Sequence, residues 1–300
     1  MRRCMRTNAT CAREAIGLGV GAMLFAAAVG SERAAPQGLA DVMTALARIG
    51  ERVEQYYRRA QSLVCVETVV IQSLGASFGP DDLARILEYE LRVDWEAPAD
   101  GALAPEANVA RRLMKINGRV AKPSAEPGCM DPKSISPEPL AFLLPPKRDE
   151  YAFAWNRSPR TKDGRTLKID YKSRAFGKPV ATFKGDCISL ELPGYMRGEV
   201  WIDATKNDVV RIDEQLARQV DYRLPREHVH YGDGWWIIER ADTSIHYKQV
   251  QFKDPDETLL LPDSIEYLQV TRGLGHPRIR ISQRFSNYRR FLTGGRVVKD

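Results

Sequence analysis

Few of the residues that usually mark chemistry occur in this chain of 300 residues, which has four His and five Cys. No Gly-x-Ser-x-Gly elbow, no His-Glu-x-x-His helix and no phosphate-binding Gly-rich loop occurs. Their absence removes the common nucleophilic, zinc-peptidase and nucleotide-binding readings. Carboxylates such as Glu88 and Glu90 fall on the polar face of a strand pattern, where solvation is the default. The sequence points to no catalytic residue, no cofactor and no metal, and to a protein that is not an enzyme. His228-x-His230 would place two imidazoles on one strand face, with His246 as a third ligand, but such pairs in strands are ordinarily packing or surface residues. No internal repeat is present.

Charge is modest too. The formal net charge is +6, but Arg2, Arg3, Arg6, Arg13 and Glu14 all lie in the first thirty residues, leaving +3 for the rest. The densest basic cluster, "YRRF" at 288–291, is small, so no stripe for nucleic acid is present. A long hydrophobic run is also missing beyond the start. Residues 15–30, "AIGLGVGAMLFAAAVG", follow the basic n-region and end in Ala28-Val29-Gly30. That is the layout of a secretory signal peptide over 1–30, since sixteen Gly- and Ala-rich residues are short for spanning about 30 Å of hydrocarbon. The expected location is beyond the inner membrane, in the periplasm, with peripheral envelope association open. No Cys follows the cleavage region, which argues against lipidation. Cys65, Cys129 and Cys187 remain. Cys65 lies inside the apolar run "LVCVETVV" and reads as a buried free thiol, so a single bridge is expected between Cys129 and Cys187.

The rest is pattern. In residues 38–62, Leu39, Val42, Met43, Leu46, Ile49, Val53 and Tyr56 or Tyr57 recur at three- and four-residue steps, which predicts an amphipathic helix of about six turns. From there the period changes to two. Residues 87–96 alternate strictly, with Leu87, Tyr89, Leu91, Val93 and Trp95 on one face. Asn117-Gly118 is a hairpin pair that accepts positive φ at both positions. Tyr151, Phe153 and Trp155 share a face, and further strand runs continue to residue 288 with short polar gaps. The exception is a Pro-rich segment at about 122–149, holding the apolar island Leu140–Leu144. It reads as an insertion in a single domain over 31–300, since the same antiparallel patterning resumes beyond it. About ten strands cannot remain flat. The fold class is therefore α+β, mainly β: a curled antiparallel sheet, a half-barrel, around the N-terminal amphipathic helix.

"GEVWIDATKNDVVRID", residues 198–213, is read as a hairpin. Val200 and Ile202 share one face. Asp203 closes the turn with its side chain, and Trp201 is expected to anchor the hairpin where the return strand meets the helix. The stretch resembles the central hairpin of the LolA/LolB/LppX-like superfamily of outer-membrane lipoprotein carriers, at Gly198, Trp201, Asp203 and Arg211. "YRRF" is similar to a feature of secreted families of environmental bacteria. The resemblance implies an incomplete barrel around helices with an apolar cavity for acyl chains. On that basis the chain is expected to bind a lipid, acyl chain or lipidated partner such as a lipoprotein, with no nucleic acid. Tyr89, Trp95, Tyr151, Phe153 and Trp155 are the expected cavity-lining aromatics. The alternative is a structural or interaction module of the cell envelope whose concave face is filled by its own side chains.

Overall fold

The computed structural model describes residues 39–60, 62–96, 106–122, 138–160, 165–184, 187–229, 234–253, 256–273 and 278–290. The expected signal peptide lies outside them. Every described residue belongs to one compact unit, Gln37–Asp300. No described helix is long and apolar enough to cross a membrane.

Helix α1 spans Leu39–Arg59. Val42, Leu46, Ile49, Val53 and Tyr57 are its buried stripe, and Met43, expected there, is 41% exposed because it falls one position off the repeat. Strands β1 (Leu63–Ser73), β2 (Arg85–Glu96) and β3 (Glu106–Ile116) follow, with β4 (Arg119–Val120) closing a tight hairpin. Asn117 and Gly118 take φ of 48° and 78°, the positive pair that turn needs. A 3-10 turn at Glu138–Leu143 and a short helix α2 (Pro145–Arg148) lead into β5 (Tyr151–Arg160) and β6 (Thr166–Ser173). A separate hairpin of β7 (Val180–Lys184) and β8 (Cys187–Glu191) precedes β9 (Met196–Asp203), β10 (Val209–Leu216) and β11 (Val220–Arg223). The long strands β12 (Trp235–Lys253), β13 (Asp256–Arg272) and β14 (Arg278–Arg290) complete the fold. The run expected as a strand at 226–231 instead begins with a 3-10 turn at Arg226–His228.

Twelve strands form one antiparallel sheet in the order β4-β3-β2-β1-β14-β13-β12-β10-β9-β6-β5, with β11 beside β12. The fold class is mainly antiparallel β, one curled sheet not closed into a barrel, with few helices. The described strands number fourteen rather than about ten, because β4, β7 and β11 are too short to leave a periodic signature. Register places Ile169, Val200, Ile212, Ile245 and Ile265 opposite one another on the face toward α1. That face and the α1 stripe form the main core. The 138–144 stretch enters the same core: Leu140, Phe142, Leu143 and Leu144 are all buried, Leu143 at 0% exposure. The Pro-rich segment thus supplies part of the core through its apolar island.

Cys65 is a buried free thiol, and Cys187 is disulfide-bonded to a residue outside the described set, where the expected partner Cys129 also falls.

Candidate functional site

The concave face carries three features. The first is the filling. Phe142 sits over the aromatics of β5 and β6, its ring centroid 4.5 Å from Tyr171, 5.3 Å from Tyr151 and 6.2 Å from Phe153. Arg148 holds this filling against α1. Its Nη2 donates to the Leu46 carbonyl at 3.0 Å and to the Leu143 carbonyl at 2.9 Å.

The second is a buried ion pair farther along the face. Glu67 on β1 has 0% exposure. Arg111 on β3 donates through Nε and Nη2 to its two oxygens at 2.8 and 2.9 Å, and Gln283 on β14 adds a third bond at 2.8 Å. The Arg111 guanidinium lies 3.7 Å from the centroid of the Tyr89 ring. This paired arrangement lets a charged carboxylate lie in an apolar sheet face.

The third is a narrow cleft of about 40 Å³ between α1 and the sheet. Tyr56 of α1 and Pro139 of the filling stretch form one wall; Leu63, Cys65, Tyr247, Pro262, Phe285 and Tyr288 form much of the other. Tyr288 donates to the Pro262 carbonyl at 2.6 Å. Burial pushes the Cys65 thiol up to about 12, with the Glu67 carboxylate adding to it and Lys248 and Tyr288 opposing. Burial also raises Tyr56 and Tyr247, with Cys65 reinforcing the first and Tyr56 and Tyr57 the second. All three groups therefore stay neutral at physiological pH.

The aromatics singled out in the sequence are dispersed over this face. Tyr151 and Phe153 lie under Phe142, and Trp155 packs on the same core with its indole Nε1 buried and unbonded. Tyr89 stacks on Arg111 in a separate cluster, and the Trp95 side chain lies outside the described residues. The cleft's own tyrosines 56, 247 and 288 are absent from the expected set. Tyr56 is legible as one end of the helix stripe. Tyr247 is hidden by a bulge at His246/Tyr247, which breaks the period-two pattern.

On the opposite, outer face, Lys168, Trp201, Arg211, His246 and Ser264 form one cross-strand row. Asp170, Glu199, Asp213, Ser244, Glu266 and Ser282 form the next. Trp201 therefore points away from α1, with the Lys168 ammonium and the Arg211 guanidinium 4.9 and 5.0 Å from its ring centroid. This corrects the expected anchor against the helix: strand alternation sends Val200 and Ile202 inward, so Trp201 must face out. Two open depressions of about 420 and 430 Å³ lie over this face. Their carboxylates have partners of their own: Asn156 bonds Asp170 and Glu199, Arg211 and Ser244 bond Asp213, and Ser282 bonds Glu266. Wide and charged, these surfaces lack the enclosed apolar lining of a small-molecule site.

Among the described residues no three His, Cys, Asp or Glu converge to hold a metal ion. His228 stacks on Phe183 at 3.8 Å, His246 sits beside Ser244 on the outer face, and His230 lies outside the described residues. In the 198–213 hairpin, Asp203 Oδ1 accepts from Thr205 N at 2.8 Å, Thr205 Oγ1 at 2.6 Å and Lys206 N at 2.8 Å, which is a turn rather than a metal loop.

No family model matches the chain, and no curated protein matches it. Among solved structures it is similar to a LolA superfamily protein from Nitrosomonas europaea, at 10% identity and a TM-score of 0.35. That alignment covers 85% of this chain and 97% of the other. The likeness is slight, and the fold stands on its own strand register.

Proposed function

We propose that this chain is a non-catalytic envelope protein that binds an acyl chain between α1 and the sheet, and that the 138–148 segment withdraws from the groove as the chain enters. The observation that carries this reading is the origin of the filling. The groove under α1 is lined mostly by apolar side chains, and Leu140, Phe142, Leu143 and Leu144 reach it from one short segment off the sheet. Only about 40 Å³ is left beside them, against the roughly 300–1,000 Å³ of a ligand pocket, so a ligand must displace them. The exchange is close to balanced. Exposing four such side chains costs about 6–12 kcal/mol at about 1.5–3 each, and burying about fifteen methylenes returns about 12 kcal/mol. The N-terminal thirty residues support placement beyond the inner membrane.

Native mass spectrometry of the protein purified from a bacterial envelope, with displacement of a fluorescent fatty acid, tests the proposal. Co-purified lipid and displacement by acyl compounds are expected. A clean apo mass with no displacement overturns it and favours the second reading, a structural or interaction module with a permanently filled groove. The small residual volume is the specific observation on that side.

A further inference from the structure

We infer that the free edge of β5 pairs with the same strand of a second copy, antiparallel and centred on Phe153, so that two curled sheets join into one. Ladder parity shows what this edge offers. In an antiparallel pair each residue turns its N–H and its C=O to the same side, and successive residues alternate. Arg174 N donates to the Glu150 carbonyl at 2.9 Å, which sets Glu150, Ala152 and Ala154 toward β6. Tyr151, Phe153 and Trp155 therefore turn theirs the other way, where β5 ends the sheet and no described strand meets them. Arg174 Nε reaches the Tyr151 carbonyl alone, at 3.0 Å. Sheet edges are usually protected by charge, proline or a bulge. The opposite edge follows that rule, with Arg112 and Lys115 on β3 and β4 folded back beside its end. Tyr151-Ala152-Phe153-Ala154-Trp155 has no charge, proline or glycine, and its regular pairing ends only after Trp155.

Two observations select a second copy over a foreign strand. The stretch reads aromatic-small-aromatic-small-aromatic in both directions. Set antiparallel on itself about Phe153, it places Tyr151 opposite Trp155, Phe153 opposite Phe153 and Ala152 opposite Ala154, and cross-strand aromatic pairs are favourable. Charge then fixes the centre. On the outer face Ala152 continues the row of Lys172 and Arg197, while Ala154 continues the row of Asp170 and Glu199. Lys172 and Arg197 are exposed, with no carboxylate partner among the described residues. Asp170 and Glu199 are bonded by the neutral Asn156. Pairing Ala152 with Ala154 sets each copy's basic row in line with the other's acidic row, with Lys172 and Asp170 about 14 Å apart over three strand spacings. A centre at Ala152 would instead align two basic rows, and one at Ala154 two acidic rows, which like-charge repulsion disfavours. Five paired residues bury far less than the roughly 1,200–2,000 Å² of a standard interface, so the dimer is weak and reversible.

Sedimentation equilibrium of the full chain over about 1–500 µM at low salt tests this, with backbone amide exchange on the same samples. A monomer–dimer equilibrium is expected, weakened severalfold by about 0.5 M NaCl because salt screens the facing rows. The amides of Tyr151, Phe153 and Trp155 should gain protection as concentration rises. Ala154 is exposed, so its substitution probes the pairing without disturbing the core. Ala154→Lys sets a cation toward the other copy's Lys172 and should raise the dissociation constant at least tenfold. Ala154→Glu sets a carboxylate toward the same Lys172 and should lower it. A protein that stays monomeric throughout overturns the inference. So does a dimer that both Ala154 variants leave unchanged and whose β5 amides stay unprotected, since it forms elsewhere. Protection of those amides only when an envelope extract is added, with the protein alone monomeric, assigns the edge to a foreign strand and overturns it too. None of these results bears on acyl binding under α1.

Discussion

Arg148 lies directly over Gly50: its Nη2 bonds the Leu46 carbonyl at 3.0 Å, and a Cβ on Gly50 would come within 2.6 Å of that nitrogen. A glycine inside a helix normally costs roughly 0.5–1 kcal/mol relative to alanine. Here the missing methyl makes room for the guanidinium that fastens the groove filling to α1. Gly50→Ala should therefore fail to stabilise the protein. In an Arg148→Ala background the same substitution should be more favourable, by less than the full helix propensity because the Leu143 carbonyl oxygen still lies 3.3 Å from the added Cβ. Urea midpoints of the four proteins measure the coupling, and an equal gain in both backgrounds would show that Arg148 makes no use of the space.

Glu67 and Arg111 make the second prediction. Breaking a buried pair from one side leaves an unmatched charge and typically costs about 3–5 kcal/mol, while replacing both partners by apolar groups costs far less. Glu67→Leu alone should destabilise severely. Glu67→Leu/Arg111→Leu should recover much of the loss in the same urea titration. Strict additivity of the two single effects would show that they do not act as a pair.

Trp201 and Ile202 are neighbours with opposite surroundings. Ile202 is 1% exposed in the main core, while Trp201 is half-buried between Lys168 and Arg211 on the outer face. Truncating a fully buried isoleucine costs about 2–5 kcal/mol, whereas a cation–π sandwich near solvent contributes about 0.5–1 kcal/mol per contact. Ile202→Ala should lower the thermal midpoint more than Trp201→Ala does. The reverse order would place Trp201 in the core after all.

These residues also mark what the sequence could reveal. Alternation makes the inward set Leu87, Tyr89, Leu91 and Val93 legible, and three- and four-residue steps give the α1 stripe, because each depends on local spacing alone. The turn chemistry of Asn117-Gly118 and Asp203 is legible for the same reason. Residue size misleads at Trp201: the largest side chain suggests the buried one, although parity assigns Val200 and Ile202 to the core. The cleft leaves no such signal. Tyr56, Tyr247 and Tyr288 lie far apart in the chain and meet only through the order of β1, β14, β13 and β12, and pairing across that distance leaves no periodic trace. The island Leu140–Leu144 is visible, but nothing in a Pro-rich stretch shows that it fills the sheet.

Glu214 gives a prediction in pH. It lies on the concave side of β10, opposite Gly198, where burial raises its carboxyl above the ordinary value. The Tyr171 hydroxyl opposes that shift only in part and makes no well-formed hydrogen bond of its own. The unfolded carboxyl titrates near 4.3. Between that pH and the higher folded value the native state holds the proton and the unfolded state does not. Stability from this group is thus fully present below about pH 4.3 and is lost as pH rises through the folded pKa. Glutamine reproduces the protonated shape without the titration. Glu214→Gln should consequently be more stable than the parent at pH 7–8, with the difference shrinking toward zero at pH 4. Paired urea melts at the two pH values measure it. A variant that is less stable at pH 8, or equally advantaged at both, would mean that the Glu214 carboxylate is stabilised in the fold by contacts stronger than its burial.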